Sequence, residues 1–413
     1  MVTEIFDAAL FGEHVLTTIH STLKNLLDPN HGLVVPKSGV VYGVLIESEE
    51  LRDIFTLKRK QFGNIVVSEE VSVCVDFNQI KYSTINLSKV DKTYLSQKFV
   101  IIDVDFNDIS QIERLLDKEF VLNVDIKCLT QGKLDAIGVW FDLNLIDDIY
   151  ISTEPPTQLI GWEQAIYPTT PRPLLVDNQT EVNLRFSLSE DYLQLIDLKI
   201  NSNNCLDGNK IIEFNSELIK YLNANNIHEK YMNAIKEVIE EQNCRTLIDI
   251  NYFPVSSLNF IQNKAIDNIF VVTEDEEIKD NIKKFIEICD LKTTDKTVFS
   301  TFDQLIANNL SNQKSLVITD FIETSGLIRS NILEKLAYLH LYSSIPMVFI
   351  PFKLVFKGLV IQSNDLLIRS RLVSDHNVHG FKIKDYLNVF EVFTDIIIDI
   401  ITDIIRETVD LFD

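Results

Sequence analysis

Positive charge is in short supply: 38 Lys and Arg face 61 Asp and Glu, leaving a net charge of −23 at pH 7. A nucleic-acid backbone would be repelled, which argues against direct nucleic-acid binding. Basic protein segments, such as arginine-rich tails, would be drawn in instead. Cysteine is sparse and scattered. Cys74, Cys128, Cys205, Cys244 and Cys289 form no CxxC and are odd in number. They suggest neither a disulfide framework nor a metal site, and read as reduced thiols of an intracellular protein, cytoplasmic or nuclear. No charged-then-apolar leader opens the chain. Unbroken apolar runs are missing too. The most apolar stretch, residues 389–405, is interrupted by Glu391, Asp395, Asp399 and Asp403, which argues against a membrane span. Glycine numbers 12 in 413 residues, and no glycine-rich, nucleotide-cradling turn is present.

What is there suffices for two or three domains. Residues 14–27 carry apolar side chains at helical spacing and end at Asp28-Pro-Asn-His-Gly32. Residues 34–46 read as strand with a turn, and residues 47–70 are charged and mixed. Alternation at Ile102, Val104 and Phe106, then at Ile137, Val139, Phe141, Leu143 and Leu145, predicts half-buried strands. Trp140 faces away from the Ile137 stripe and reads as either core or interface. A closing hairpin is expected around residues 189–191. Residues 31–200 therefore form one β domain of barrel or sandwich type.

A polar boundary at residues 201–208 leads to a different pattern. Residues 210–241 look helical, with a break near 223–226. Strand candidates follow at 246–250, 268–273 and 315–320, with helical patterns at 277–289, 302–309 and 328–340. Strands alternating with helices imply a parallel sheet. Laying residues 318–340 on 2–24 places Ile318-Thr-Asp320 on Val2-Thr-Glu4, with a helix next in both, and residues 346–372 echo 34–46. The chain thus reads as two copies of one plan. Residues 394–405 fit helix or strand, and their aspartates read as a solvated face. His14 and His20, six apart on one helix, and His376 and His379, in a polar stretch, lack the company a metal site needs.

Chemistry gathers at the start. Glu4 and Glu13 lie nine residues apart around a glycine-containing loop. Two carboxylates on one loop can clamp a guanidinium, whose N–H fork matches a carboxylate in pairs. On spacing alone the plainer reading is two solvated acids in an acid-rich chain.

Glu4-Ile-Phe-Asp-Ala-Ala-Leu-Phe-Gly-Glu13 resembles the double-glutamate loop of the protein arginine N-methyltransferases. Residues 134–142, Ser152-Thr153 and Gly161-Trp-Glu-Gln-Ala-Ile-Tyr-Pro168 are similar to that family's barrel strand and its threonine-histidine-tryptophan loop. The wording is nearest the large tandem-repeat members, type nine first and type seven next. The resemblance is strong over residues 1–200 and weak over 201–413.

It implies an α/β plus β architecture. Residues 1–30 would end a Rossmann-like methyltransferase domain and 31–200 would form the substrate-binding β-barrel with a dimer-contact arm. Residues 201–340 would be a degenerate second Rossmann-like domain, and 341–413 a partial second barrel. The resemblance also implies S-adenosylmethionine-dependent methyl transfer to arginine in protein substrates. Glu4 and Glu13 would be the catalytic grip, with Trp162 walling the arginine pocket. Gly161 stands where the family has histidine, and the family's threonine falls near Ile160.

The glycine-rich half of the first cofactor domain would precede Met1. The resemblance therefore implies an amino-terminally shortened chain that does not turn over alone. In the second copy, residues 247–255 contain no glycine. Asp249 and Glu274 are placed to imitate cofactor-binding acids, although Glu274 reads first as an ordinary strand-end acid. Asp320 replaces the first glutamate there, and Arg329 or Ser330 the second; an arginine would repel a guanidinium. The second copy reads as a pseudo-domain that lets one chain imitate a dimer. The competing reading is a catalytically silent scaffold that holds protein partners.

Overall fold

The computed structural model describes residues 1–28, 30–76, 81–156, 161–169, 174–189, 192–201, 210–291, 296–307, 314–322, 328–342, 346–355, 362 and 382–387. Two compact units result. Unit 1 takes Met1–Arg59 and Glu69–Asn223; unit 2 takes Lys60–Ser68 and Ala224–Asp413.

Unit 1 is built on the antiparallel pair Ser38–Glu47 and Ala136–Ile146, with Val41 opposite Phe141 and Tyr42 opposite Trp140. Alternation sends Ile137, Val139, Phe141 and Leu143 inward, as the sequence predicts. Phe99–Asp105 and Gln164–Pro168 extend this sheet. The hairpin Glu181–Ser189 with Tyr192–Ile200 joins Val121–Lys127 in a second antiparallel sheet. One core serves both: Phe106, Phe141, Tyr167 and Phe186 pack with Phe11, Leu16 and Ile19 from the chain's start. A buried ion pair sets one corner. Arg52 donates two bonds of 2.8 Å to Asp135, whose Oδ2 also accepts the Ser48 N–H.

Unit 2 holds a five-stranded parallel sheet in the order Thr297–Ser300, Asn268–Val272, Thr246–Asp249, Ser315–Ile318, Met347–Ile350. Helices Asn225–Gln242, Glu276–Ile288, Phe302–Ala307 and Ser330–Tyr342 accompany it. Ile248, Ile250 and Val317 pack one face against Leu305, Ile332 and Leu336. The residues 60–68 taken into unit 2 form a small hairpin, whose Phe62 lies edge-on to His228 and Phe285. The mixed segment 47–70 thus contributes to both units.

Several expectations need correction. Residues 210–214 are not helical. Lys210–Phe214 is a strand running parallel to Val71–Val75, and with helix Ser216–Asn223 it belongs to unit 1. Strand Thr297–Ser300 has no counterpart in the sequence reading. Met347–Ile350, expected in a second barrel, is the fifth strand of the parallel sheet. Most of residues 355–413, with His376 and His379, lie outside the described residues, as do 202–209 with Cys205. Among the described residues no helix is long and apolar enough to cross a membrane, and no group of three ligands is poised for a metal.

Candidate functional site

The loop from Glu4 to Glu13 is held from both ends and through its middle. Val2 bridges Val35 in parallel, with the Thr3 N–H donating to the Val35 carbonyl at 2.9 Å. Between the glutamates, Phe6, Ala8, Ala9, Leu10 and Phe11 are all buried in the unit 1 core. The apolar run Phe-Asp-Ala-Ala-Leu-Phe therefore nails the loop down and leaves Glu4 and Glu13 exposed at its ends. Neither glutamate has an ion-pair partner among the described residues.

Asp7 organises the loop from inside. Its Oδ1 accepts the Ala9 N–H and its backbone carbonyl accepts the Leu10 N–H, both at 3.0 Å. Its Oδ2 is buried without a partner among the described residues. A Cβ at Gly12 would fall 1.7 Å from that oxygen, so only glycine fits. Burial raises the Asp7 carboxyl above its ordinary range; the Gly12 and Ala9 N–H groups oppose this, and Glu13 adds to it. Leu10, fully buried, has φ 79°, and His14, at the start of helix Val15–Asn25, has φ 59°. Left-handed backbone at two non-glycine residues is strain that the surrounding packing sustains.

The second motif comes to the first. Trp162 donates its indole N–H to the Phe6 carbonyl at 2.7 Å and lies edge-on to Phe141 with ring centroids 5.7 Å apart. Residues 156 positions apart in sequence thus meet between the two glutamates. The loop bearing Trp162 is tied at its ends. The Thr153 hydroxyl accepts the Phe141 N–H and donates to the Phe141 carbonyl, and Gln164 donates to the Thr153 carbonyl while accepting the Leu87 N–H. Gly161 is exposed, and a Cβ there would meet nothing within 4 Å. Ile160 lies outside the described residues. Sequence reasoning quoted Thr153 and Gln164 within a motif without giving them this positioning role, and it gave Asp7 none; the glycine five residues after Asp7 was the available signal for that one.

A backbone bond of the same kind occurs in unit 2. The Thr319 N–H donates to the Ile350 carbonyl at 2.9 Å, as Thr3 does to Val35, and helix Ser330–Tyr342 follows as Val15–Asn25 follows in unit 1. Asp320 stands where Glu4 stands, but Arg329 reaches it: its guanidinium lies 3.9 Å from the carboxylate. The Arg329 N–H also bonds the Phe321 carbonyl, and Ile322 bridges Ile328. Burial raises the Asp320 carboxyl, and Arg329 opposes that rise.

The place for a nucleotide-like cofactor in unit 2 is the crevice where strand order reverses, beside the carboxyl ends of Thr246–Asp249 and Ser315–Ile318. Its residues do not fit one. The turn after Asp249 is filled by Phe253, Val255 and Leu258, all fully buried, with Phe253 edge-on to Phe285 at 5.4 Å. Asp249 is 1% exposed. Its Oδ1 accepts the Asn251 N–H, and the nearby Ser257 hydroxyl sits at 3.0 Å from the Pro254 carbonyl. Burial pushes its pKa to about 6, against the opposing pull of Ser257 and Asn251. Glu274 is exposed, 3.9 Å from Lys335. Of the two acids the sequence offers for a cofactor, Asp249 is thus buried and Glu274 exposed beside Lys335.

Comparison with known proteins agrees with the geometry. The family model described as "Arginine methyltransferase oligomerization subdomain" matches residues 58–202. The chain is 26% identical to protein arginine N-methyltransferase 9 of Xenopus laevis, with 95% of this chain and 57% of that protein aligned. It is 25% identical to the Homo sapiens protein of the same name, covering 97% and 58%. It is 22% identical to an arginine N(omega)-methyltransferase of Streptomyces achromogenes subsp. streptozoticus, covering 47% and 50%. The chain spans a little over half the length of the first two relatives.

Proposed function

We propose that this chain is a protein arginine N-methyltransferase relative and that unit 1 grips the substrate arginine during S-adenosylmethionine-dependent methylation of proteins. One observation carries the reading: Trp162 bonds the backbone of the Glu4–Glu13 loop at Phe6, between two exposed, unpaired carboxylates. Glu4 and Glu13 bind the guanidinium through paired, charge-assisted hydrogen bonds. They hold the attacking nitrogen in line and draw positive charge toward the other nitrogens, a preorganised electrostatic effect. Trp162 walls the pocket, and the buried Asp7–Gly12 contact keeps the loop in shape.

Unit 2 acts as a closed copy. Arg329 beside Asp320 stands where a substrate cation would sit, and the turn after Asp249 buries Phe253, Val255 and Leu258 in place of a glycine-rich cradle. A silent scaffold is the alternative, favoured by that buried turn alone. Methyl transfer to an arginine-rich peptide, measured with the chain alone and with a donor-binding half supplied in trans, separates the two. We expect transfer only with the added half, and none after Glu4→Gln with Glu13→Gln. Transfer that survives the double substitution, or none after reconstitution, defeats the proposal.

A further inference from the structure

Trp162 meets the Glu4–Glu13 loop at Phe6, and a second aromatic ring meets it at the other end. Gly12, immediately before Glu13, lies between two side chains. An added Cβ there would fall 1.7 Å from Asp7 Oδ2 and 2.9 Å from Cε1 of Tyr192. Carbon atoms rest about 3.5–4 Å apart. The Tyr192 ring therefore lies directly against the backbone that leads into Glu13.

That ring is itself held. Tyr192 opens strand Tyr192–Ile200, and the next residue, Leu193, is fully buried. The Leu193 carbonyl accepts the hydroxyl of the buried Tyr167 at 2.6 Å. Tyr167 packs against Tyr82, with ring centroids 5.4 Å apart. Lys81, next to Tyr82, lies over Tyr192 with its ammonium 3.3 Å from the ring centroid. An ammonium over an aromatic face is attracted to the negative charge of the ring's π-system.

A side chain that grips a guanidinium must be held to within about 0.5 Å of its working position. Glycine is the least constrained residue of a chain, so the link from Gly12 to Glu13 is where the loop could most easily wander. Asp7 closes one side of that link, and Tyr192 closes the other. We infer that Tyr192, steadied by Lys81, is a positioning residue that sets Glu13 for the substrate arginine. The inference rests on the arginine-pocket reading and adds to it a side chain from a strand 180 residues downstream of Gly12.

Calorimetric titration of a peptide with one arginine between glycines into the full chain tests it. Tyr192→Ala should weaken binding about tenfold, the loss expected when a charge-assisted contact is misplaced. Tyr192→Phe keeps the ring and should change affinity less than about twofold. Lys81→Met keeps the stem, removes the cation and should weaken binding about threefold. A residue that acts through Glu13 loses its effect once Glu13 no longer grips. Tyr192→Ala should thus change affinity less than about twofold in a Glu13→Gln background, and should keep its tenfold effect in a Glu4→Gln background. Should Tyr192→Ala fail to fold, Lys81→Met carries the same comparison. Equal effects in the two backgrounds would show general loosening of the loop and overturn the inference, as would a loss with Tyr192→Phe as large as with Tyr192→Ala. Undiminished binding after Glu13→Gln alone would defeat the arginine-pocket reading as well, which tells the two failures apart.

Discussion

The two loops that follow Thr3 and Thr319 start from the same backbone bond and end in opposite states. In unit 1 the apolar residues between the glutamates are buried, and the charges stay outside and unpaired. In unit 2 the acid is half-buried and has an arginine of its own beside it. Openness here is a matter of which side chains the core takes. Burying Phe6 to Phe11 offers two carboxylates to a visitor, whereas Arg329 beside Asp320 supplies the cation from within.

That contrast can be attacked in order of expected effect. Removing charge from the open loop should do most: Glu4→Gln or Glu13→Gln should lower methyl transfer in the reconstituted system about 10²–10³-fold, as loss of a preorganised electrostatic group does. Glu274→Gln, in unit 2, should leave the same rate unchanged. Peptide methylation assays decide both.

Next comes the buried acid of unit 2. The Asp249 carboxyl rises from 3.8 to about 6 on folding. The folded state therefore holds a proton that the unfolded state has lost, and stability falls as pH climbs through that window. Two pKa units are worth about 3 kcal/mol. Asp249→Asn, which keeps an acceptor for the Asn251 N–H, should raise unit 2's stability by roughly that amount at pH 7.5 and by almost nothing at pH 4. Thermal melts of both proteins at the two pH values check it; a gain of equal size at both would contradict the burial account.

Gly12→Ala drives a methyl group into Asp7 and should cost about 1–3 kcal/mol of unit 1 stability, as overpacking does. Urea unfolding would show it, with arginine-peptide affinity falling alongside. The smallest effect belongs to Trp162→Phe. It keeps the ring against Phe141 and removes one hydrogen bond, for about 1 kcal/mol and roughly fivefold in arginine-peptide affinity. Calorimetry that finds no change would remove Trp162 from the pocket wall.

Much of this was readable beforehand. Period-two alternation announced Ala136–Ile146, short buried runs announced Thr246–Asp249 and Ser315–Ile318, and the resemblance to a double-glutamate motif marked the Glu4–Glu13 loop. What escaped depends on distant partners. Lys210–Phe214 is a strand because Val71–Val75 lies alongside it, a pairing no local window contains. Thr297–Ser300 is four residues long and half polar, too little to register as a strand. Trp162 finds its acceptor on a backbone carbonyl, which carries no signature in residue type. Asp249 suggested a ligand by position, whereas its burial with Phe253, Val255 and Leu258 emerges only in three dimensions.

Lys60–Ser68 is counted with unit 2 although the residues on either side of it are counted with unit 1. The chain therefore visits unit 2 once before it arrives there for good. No single peptide cleavage can part the two. A polypeptide ending at Asn223 would carry away the hairpin with Phe62 and Ile65, both buried in the intact chain, stripped of their cover. Genes that inherit one unit without the other must first rewrite nine residues near the front.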